Sequence, residues 1–138
     1  MNLEVGSMHL DLLPPGTDLV GAVRHLNDDP ISFPWAWTIR AGDTDPLVDG
    51  PAILAGVHGD VGALIWLGRN DDFVPVDGLN ADWMTYHLGG LHDTPIPPKG
   101  EVPIETVYRA LTEFIETRDR PTCVEWEVAA PVESMYQP

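Results

Sequence analysis

The distribution of proline most strongly constrains how this chain can fold. Fourteen prolines occur in 138 residues, and a proline inside a helix or a central strand removes a backbone donor and disrupts that element. Regular structure is therefore expected mainly in the longest proline-free windows. These windows are residues 16–29, 52–74, 76–94 and 104–120.

Two of these windows carry a helical pattern. In the last window, apolar residues recur at spacings of three and four over three turns, directly after Pro103, and Pro121 closes the segment. The first window predicts a shorter helix that is capped by Thr17 or Asp18 and runs through Leu26. The apolar positions of the longer helix are Ile104, Val107, Tyr108, Leu111, Phe114 and Ile115.

Several other segments predict strands. Apolar and polar residues alternate at 8–12 and 35–39, and two continuous apolar runs at 52–57 and 61–67 flank a short turn that predicts a hairpin. Shorter strands are predicted at 73–76 and 83–88, and a final strand is predicted with Val124, Trp126 and Val128 facing inward. Residues 89–100 are rich in Gly and Pro and are predicted to be a loop.

The order of these elements lacks a helical crossover between most strands, which disfavours a doubly wound parallel sheet. We expect an α+β fold: a mostly antiparallel, twisted sheet of about five or six strands with two helices packed on it. Since 138 residues is the size of one ordinary domain, and no repeat or linker is visible, residues 1–138 are expected to form a single domain.

The chain is strongly acidic. It contains 22 Asp and Glu and only seven Lys and Arg, which gives a formal net charge of -15. Such a surface repels nucleic-acid phosphates and anionic lipids and attracts basic proteins. We therefore expect neither a nucleic-acid partner nor a membrane partner. The charge also has a simpler explanation, since acidic residues keep many proteins soluble without binding anything.

About half of this charge lies between residues 41 and 82, where eight Asp accompany a single Arg. These Asp stand beside Gly, Pro and Asn, which is typical of turns and loops rather than helix faces. An aromatic residue beside acidic loops is also typical of protein-binding hot spots. The predicted partner-binding residues are Asp43, Asp45, Asp49, Asp71, Asp72, Asp77, Asp82 and Trp83.

Catalytic motifs are scarce in this sequence. It contains no nucleophile elbow, phosphate-binding loop or paired metal-ligand spacing, and its single cysteine, Cys123, begins a predicted core strand. We expect a protein that is not an enzyme and needs no cofactor or metal. The alternative is a small metal-dependent or ligand-binding enzyme domain with its pocket under the 89–100 loop, using His87, His92 and Asp93.

The sequence also bears on where the protein works. One cysteine excludes an internal disulfide, no run approaches the roughly 18 apolar residues of a bilayer span, and the first residues lack a signal-peptide pattern. These features predict the cytoplasm.

The C-terminal part contains a distinctive series of segments, which are residues 62–67, Val102-Pro103, Glu113-Phe114, Arg120-Pro121-Thr122 and Trp126. With this series the chain resembles the first-described immunity protein family of bacterial polymorphic toxin systems. The resemblance covers about the last eighty residues. It implies an α+β immunity protein that binds a cognate toxin domain, often of the deaminase or nuclease kind.

A structural role is expected for the motif residues Trp66, Pro103, Phe114, Arg120, Pro121 and Trp126. Arg120 is expected to satisfy carbonyls at the helix end, and Trp126 is expected to pack under the helix. Asp119 stands where the resemblance leads one to expect a helix-ending glycine, so the helix is predicted to end differently here. An acidic interaction module within a larger complex is a third interpretation that the sequence leaves open.

Overall fold

A computed structural model describes residues 2–29, 33–43 and 50–136 of the chain. Short 3-10 turns follow the first strand at Leu10–Leu12 and end the described part at Val132–Tyr136. The strands and helices, in chain order, are β1 (Ser7–His9), α1 (Leu19–Asn27), β2 (Trp35–Arg40), β3 (Ala52–Val57), β4 (Val61–Leu67), β5 (Asp72–Pro75), β6 (Met84–Leu88), β7 (His92–Ile96), β8 (Glu101–Pro103), α2 (Ile104–Thr117) and β9 (Trp126–Val128).

The nine strands of the described part form one mixed sheet, whose main path runs β7-β6-β2-β3-β4-β5-β9. The outer edge of β2 is shared, because β6 pairs with its first two residues and β1 pairs with its last three. The edge of β4 is shared in the same way between β8 and β5. The β1–β2 and β2–β6 pairs are parallel and the other described pairs are antiparallel. The sheet therefore branches on both sides of its centre and curls.

The prediction of a mostly antiparallel sheet of five or six strands is therefore wrong. Strand β7 lies within the 89–100 segment that was predicted to be a loop, and it includes Pro95. This proline is tolerated because β7 is the end of the sheet path, where a missing backbone donor breaks no ladder. Strand β8 has only three residues. A strand of three residues is too short to show an alternation of apolar and polar residues, so the sequence does not reveal it.

The two helices match the sequence prediction closely. Asp18 caps α1, since its carboxylate accepts a hydrogen bond from the Gly21 backbone N–H at 2.9 Å. Helix α2 begins directly after Pro103 and buries one face along its 14 residues, including Leu111 and Phe114. Both helices pack on the same side of the sheet and cover the main hydrophobic core, which also contains Trp37 and Ile53.

A second, smaller core fills the other side of the sheet. Its members come from six strands, β2 to β7, and all six residues of β3 are buried because the two cores cover both of its faces. Tyr86 of β6 is the largest fully buried side chain of this core. The buried residues of the second core are Ala36, Leu54, Ala63, Ile65, Val74, Tyr86 and Ile96.

The last strand differs from its prediction in its start and in one side-chain orientation, because β9 begins at Trp126 and Val124 precedes it. Trp126 packs against the main core as expected. The inward orientation predicted for Val128 is wrong, because 58% of this residue is exposed. Among the strands that the structure describes, β9 pairs with β5 alone and ends the sheet path, so its final residue lies beyond the cover of the helices.

Candidate functional site

The acidic residues that the sequence singled out lie at two opposite ends of the sheet. We call one of them the first acidic end. It is the end at which β2 stops and β3 and β5 begin, and it carries Asp43, Asp71 and Asp72. The second acidic end lies where β5 ends and β6 begins, and it carries Asp77, Asp82 and Trp83. A six-residue strand such as β3 is roughly 20 Å long, so the structure does not unite these residues in one compact patch. Asp45 and Asp49 lie outside the described residues.

The first acidic end has mixed charge. Asp72 opens β5 beside Asp71, and partial burial of the Asp72 carboxylate, reinforced by the negative charge of Asp71, raises its pKa above the usual range. A hydrogen bond from the Gly68 backbone opposes this shift. Arg40 and Arg69 line a surface groove of about 480 Å³ at the same end. This end of the sheet therefore carries both positive and negative groups.

The second acidic end combines acidic and apolar side chains. Asp77 and Asp82 are exposed, and Trp83 is half-buried. Between them, Leu79 is 57% exposed, and Met84 at the start of β6 is 38% exposed. The sequence analysis did not identify Leu79 or Met84 as site residues. A single leucine in an Asp-Gly-Leu-Asn loop belongs to no apolar pattern that would draw attention to it.

We call residues 76–83 the Asn80 loop, because the side chain of Asn80 holds it in place. Its amide Nδ2 donates to the carbonyl oxygens of Asp82 and Pro97, each at 2.9 Å, while Oδ1 accepts from the Glu101 backbone N–H at 2.8 Å. The backbone of the same residue accepts a hydrogen bond from Lys99 N–H at 2.9 Å. The loop is thus fastened to the turn before β8 by most of the hydrogen-bonding capacity of one residue.

Close backbone packing fixes the same loop further. A side-chain carbon at Gly78 would collide with the backbone of Lys99, so only glycine fits at this position. Lys99 itself adopts a left-handed conformation with φ 68°, which is uncommon for a residue other than glycine. The Lys99 ammonium is engaged by Glu127 Oε1 at 2.8 Å. The Asn80 loop and this turn therefore form one tightly packed unit.

A groove of about 440 Å³ runs beside Leu79, between the Asn80 loop, the start of α2 and the segment before β9. Leu79 forms part of its wall. The other apolar walls come from Pro75, Val102 and Val124, and the charged groups are Asp77, Arg109 and Glu125. Apolar walls with charged groups among them are typical of surfaces that bind other proteins.

The family model for "Immunity protein Imm1" matches residues 16–128, which is most of the chain. The chain belongs to the Imm1 immunity protein family. The match includes α1 and β2, and so extends well beyond the last eighty residues on which the sequence resemblance rested. No curated protein matches the chain.

Residues of the Imm1 resemblance join α2 to the segment that precedes β9. The Glu113 carboxylate accepts hydrogen bonds from the Thr122 backbone N–H at 2.5 Å, the Thr122 hydroxyl at 2.9 Å and the Cys123 backbone N–H at 3.2 Å. The Thr122 backbone bond is the main reason that the pKa of Glu113 lies below its usual range. Glu113 therefore acts in holding the fold together.

The aromatic motif residues pack as expected, whereas Arg120 does not act as expected. The rings of Trp66 and Phe114 meet edge to face, with centroids 5.8 Å apart. Trp126 Nε1 donates to the Pro121 carbonyl at 2.9 Å. The Arg120 guanidinium lies over the Phe73 ring, 5.6 Å from its centroid, and makes a cation–π contact rather than the expected contact with helix carbonyls.

The end of α2 explains the absence of glycine at position 119. Arg118, and not Asp119, takes the left-handed conformation at the helix end, with φ 59° and ψ 27°. Its guanidinium donates to Asp11 Oδ1 at 2.9 Å, and its Nε donates to the Ile115 carbonyl. Asp119 instead accepts a hydrogen bond from the Arg120 backbone N–H. The left-handed residue therefore lies one position before Asp119, the site where the resemblance leads one to expect glycine.

Two of the three residues of the enzyme alternative come together, and the third does not. His87 Nδ1 and Asp93 Oδ1 lie 3.2 Å apart across the β6–β7 pair. His92 is next to Asp93 along β7, so its side chain points to the opposite face of the strand. Within residues 2–29, 33–43 and 50–136, no group of three or more His, Cys, Asp or Glu is placed to hold a metal ion. None of the helices in these ranges is long and apolar enough to cross a membrane.

Proposed function

We propose that this Imm1 family member acts in the cytoplasm, where it binds a cognate bacterial toxin domain and blocks its activity. The family match over residues 16–128 carries this proposal, because the family is one of immunity proteins. The toxin would belong to a polymorphic toxin system and act on nucleic acid, as a deaminase or a nuclease. We propose binding rather than catalysis as the mechanism.

The charge of the chain supports a nucleic-acid-directed toxin. Enzymes that act on nucleic acid carry Lys and Arg where the phosphates bind. A partner with a net charge of -15 presents carboxylates in place of phosphates. Opposite charges also steer the two proteins together, so that association is fast and falls steeply with ionic strength. The acidic surface would thus supply both speed and selectivity for a basic partner.

Co-expression in bacteria tests this function directly. The first step is to identify the proposed toxin gene next to the gene of this chain. The C-terminal domain of its product would be expressed alone and together with the chain, and the pair would then be co-purified. We expect the domain to stop growth, the chain to restore growth, and a stable complex to form. An unrelated acidic protein of similar charge serves as the control and should not restore growth. A toxic domain that the chain neither rescues nor binds would overturn the proposal.

A second experiment tests the class of toxin. The purified toxin domain would be incubated with DNA and RNA, and base deamination and strand cleavage would be measured as the chain is added in increasing amounts. We expect one of these activities to fall to background at one equivalent of the chain. A toxin domain that acts on neither nucleic acid would refute this part of the proposal.

A further inference from the structure

We propose that the Asn80 loop at the second acidic end, together with Met84, is the surface that docks the toxin. In this proposal Leu79 is the apolar anchor, and Asp77 and Asp82 are the acidic residues around it. The partner is a basic protein surface that offers an apolar side chain between lysines or arginines. The inference rests on the function proposed above and assigns that function to one of the two ends of the sheet.

The exposure of Leu79 is the first observation that supports this assignment. Leu79 is 57% exposed at the centre of a short loop, and Met84, five residues further along the chain, is 38% exposed. Burying both against a partner would recover the hydrophobic free energy that the isolated chain forgoes. The groove beside Leu79 has apolar walls and about 440 Å³ of space, enough to accept a large side chain in return.

The rigidity of the loop is the second observation. A loop that becomes ordered only on binding loses conformational entropy at that moment, and this loss weakens the complex. The four hydrogen bonds made by Asn80 and the packing of Gly78 on Lys99 have already imposed that order. Leu79 is therefore presented in a fixed position, as is typical of side chains that anchor tight interfaces.

Charge identifies the kind of partner. Asp77 and Glu125 lie on the groove, and Asp82 lies further along the loop, whereas Arg109 is the one basic residue among the described walls of this groove. A basic surface complements this arrangement. A second copy of the chain does not, because pairing two such ends would bring their carboxylates together on two molecules that each carry -15.

The first acidic end fits the role of an anchor less well. Its groove is lined by Arg40 and Arg69 together with Trp66, and a basic partner would meet these two positive charges there. Leu91 is, like Leu79, an exposed leucine in a loop, and it is 75% exposed. It lies in the turn between β6 and β7, at the opposite end of β6 from Met84. Leu91 therefore provides a matched control.

The test compares variants of the two regions in binding to the purified toxin domain. Leu79→Ser should weaken the dissociation constant at least tenfold, while Leu91→Ser should change it less than twofold. The double variant Asp77→Asn with Asp82→Asn should slow association at low salt about threefold or more and reduce its salt dependence. The charge-matched variant Asp71→Asn with Asp72→Asn should associate within twofold of the unmodified chain.

Hydrogen exchange on the unmodified complex gives a readout that needs no substitution. Toxin binding should slow exchange of the backbone amides in residues 76–84 and leave residues 68–73 unchanged. Unfolding temperatures of all variants, measured without the toxin, identify any loss of binding that is caused by unfolding.

The outcomes separate the two proposals. If the unmodified chain binds the toxin but Leu79→Ser binds equally well, or if protection appears at residues 68–73 instead, the docking assignment is wrong and the immunity function stands. If the unmodified chain neither binds nor protects, both proposals fall. If the chain alone sediments as a dimer that Leu79→Ser dissociates, this surface joins two copies and the assignment is again wrong.

Discussion

Replacing Tyr86 by Phe removes a single hydroxyl group from the second core. This hydroxyl donates a 2.7 Å hydrogen bond to Glu101 Oε2. Tyr86 is fully buried, and Glu101 is only 7% exposed. The variant therefore leaves a buried carboxylate without the donor that Tyr86 supplies, while the volume of the ring and the packing around it stay nearly the same.

The size of the effect follows from the character of this pair. A hydrogen bond to a charged group contributes about 1.5–3 kcal/mol to stability, and water cannot easily replace a lost donor at a buried site. Tyr86→Phe should thus lower the free energy of unfolding by about 2 kcal/mol at neutral pH. For a chain of this size that corresponds to a fall in the unfolding temperature of roughly 5–10 °C.

The assay is a double-mutant cycle measured by urea unfolding at pH 7. Glu101→Gln keeps an acceptor in place of the carboxylate, and a neutral acceptor makes a weaker hydrogen bond with Tyr86. Tyr86→Phe should therefore cost about 1 kcal/mol less in the Glu101→Gln background than in the unmodified chain. The neutral variant isolates the contribution of the charge from the loss of the hydroxyl itself.

The pH dependence provides an independent check. Burial, reinforced by the hydrogen bond to Glu101, raises the pKa of Tyr86 well above its usual range. A raised pKa means that this group stabilises the fold fully below about pH 10, where an unfolded tyrosine begins to ionise. The contribution is lost as the pH rises further. The difference between the unmodified chain and Tyr86→Phe should therefore shrink above about pH 10.

Two results would refute this reasoning. The first is a Tyr86→Phe variant whose unfolding free energy at pH 7 lies within about 0.5 kcal/mol of the unmodified chain, the range typical of surface substitutions. The second is a cycle in which the effects of Tyr86→Phe and Glu101→Gln simply add, since contacting residues should couple.

Three further predictions concern other parts of the fold. Glu113→Gln should lower the unfolding temperature at pH 7 and have less effect near pH 3, because a lowered pKa stabilises the fold above the unfolded value of about 4.3 and this contribution is lost as the pH falls through the folded value. Asp72→Asn should raise the unfolding temperature at pH 7 more than Asp71→Asn does, because the raised pKa of Asp72 shows that its charge is unfavourable in the fold. Arg118→Gly should be about 1 kcal/mol more stable than Arg118→Ala in urea unfolding, because both lose the Asp11 contact but only glycine adopts φ 59° without a steric cost.

Each of these three has a clear contrary result. A Glu113→Gln effect that is equal at pH 3 and pH 7 would mean that the carboxylate charge does not hold the segment before β9. An Asp72→Asn variant that is less stable than Asp71→Asn would show that the hydrogen bond with the Gly68 backbone outweighs the desolvation. Equal stability of the Gly and Ala variants at position 118 would show that the left-handed helix end carries no strain.

The sequence determined those parts of the protein that depend on residues close together in the chain. Asp18 and Pro103 marked the starts of the two helices, and the spacing of apolar residues gave the buried face of α2. The two long apolar runs gave the β3–β4 hairpin. Capping, turn chemistry and periodicity act over a few residues, so each can be recognised without knowing the rest of the fold.

The motif of the last eighty residues also pointed to the immunity family, and the family match confirmed this. The acidic composition favoured a basic partner, but it could not say which of the acidic loops lie together. The eight predicted partner-binding residues looked like one group along the chain, and those of them that the structure describes lie at opposite ends of the sheet.

Only the tertiary structure decided the remaining features, because pairing between distant segments creates them. Strands β7 and β8 exist through their partners β6 and β4 and not through their own composition. The burial of Glu101 depends on Tyr86, fifteen residues away. The exposed position of Leu79 is fixed because the neighbouring Asn80 makes hydrogen bonds with residues up to 21 positions away in the chain. Local sequence patterns contain no record of such contacts, since their free energy arises only when the chain has closed the loops between them.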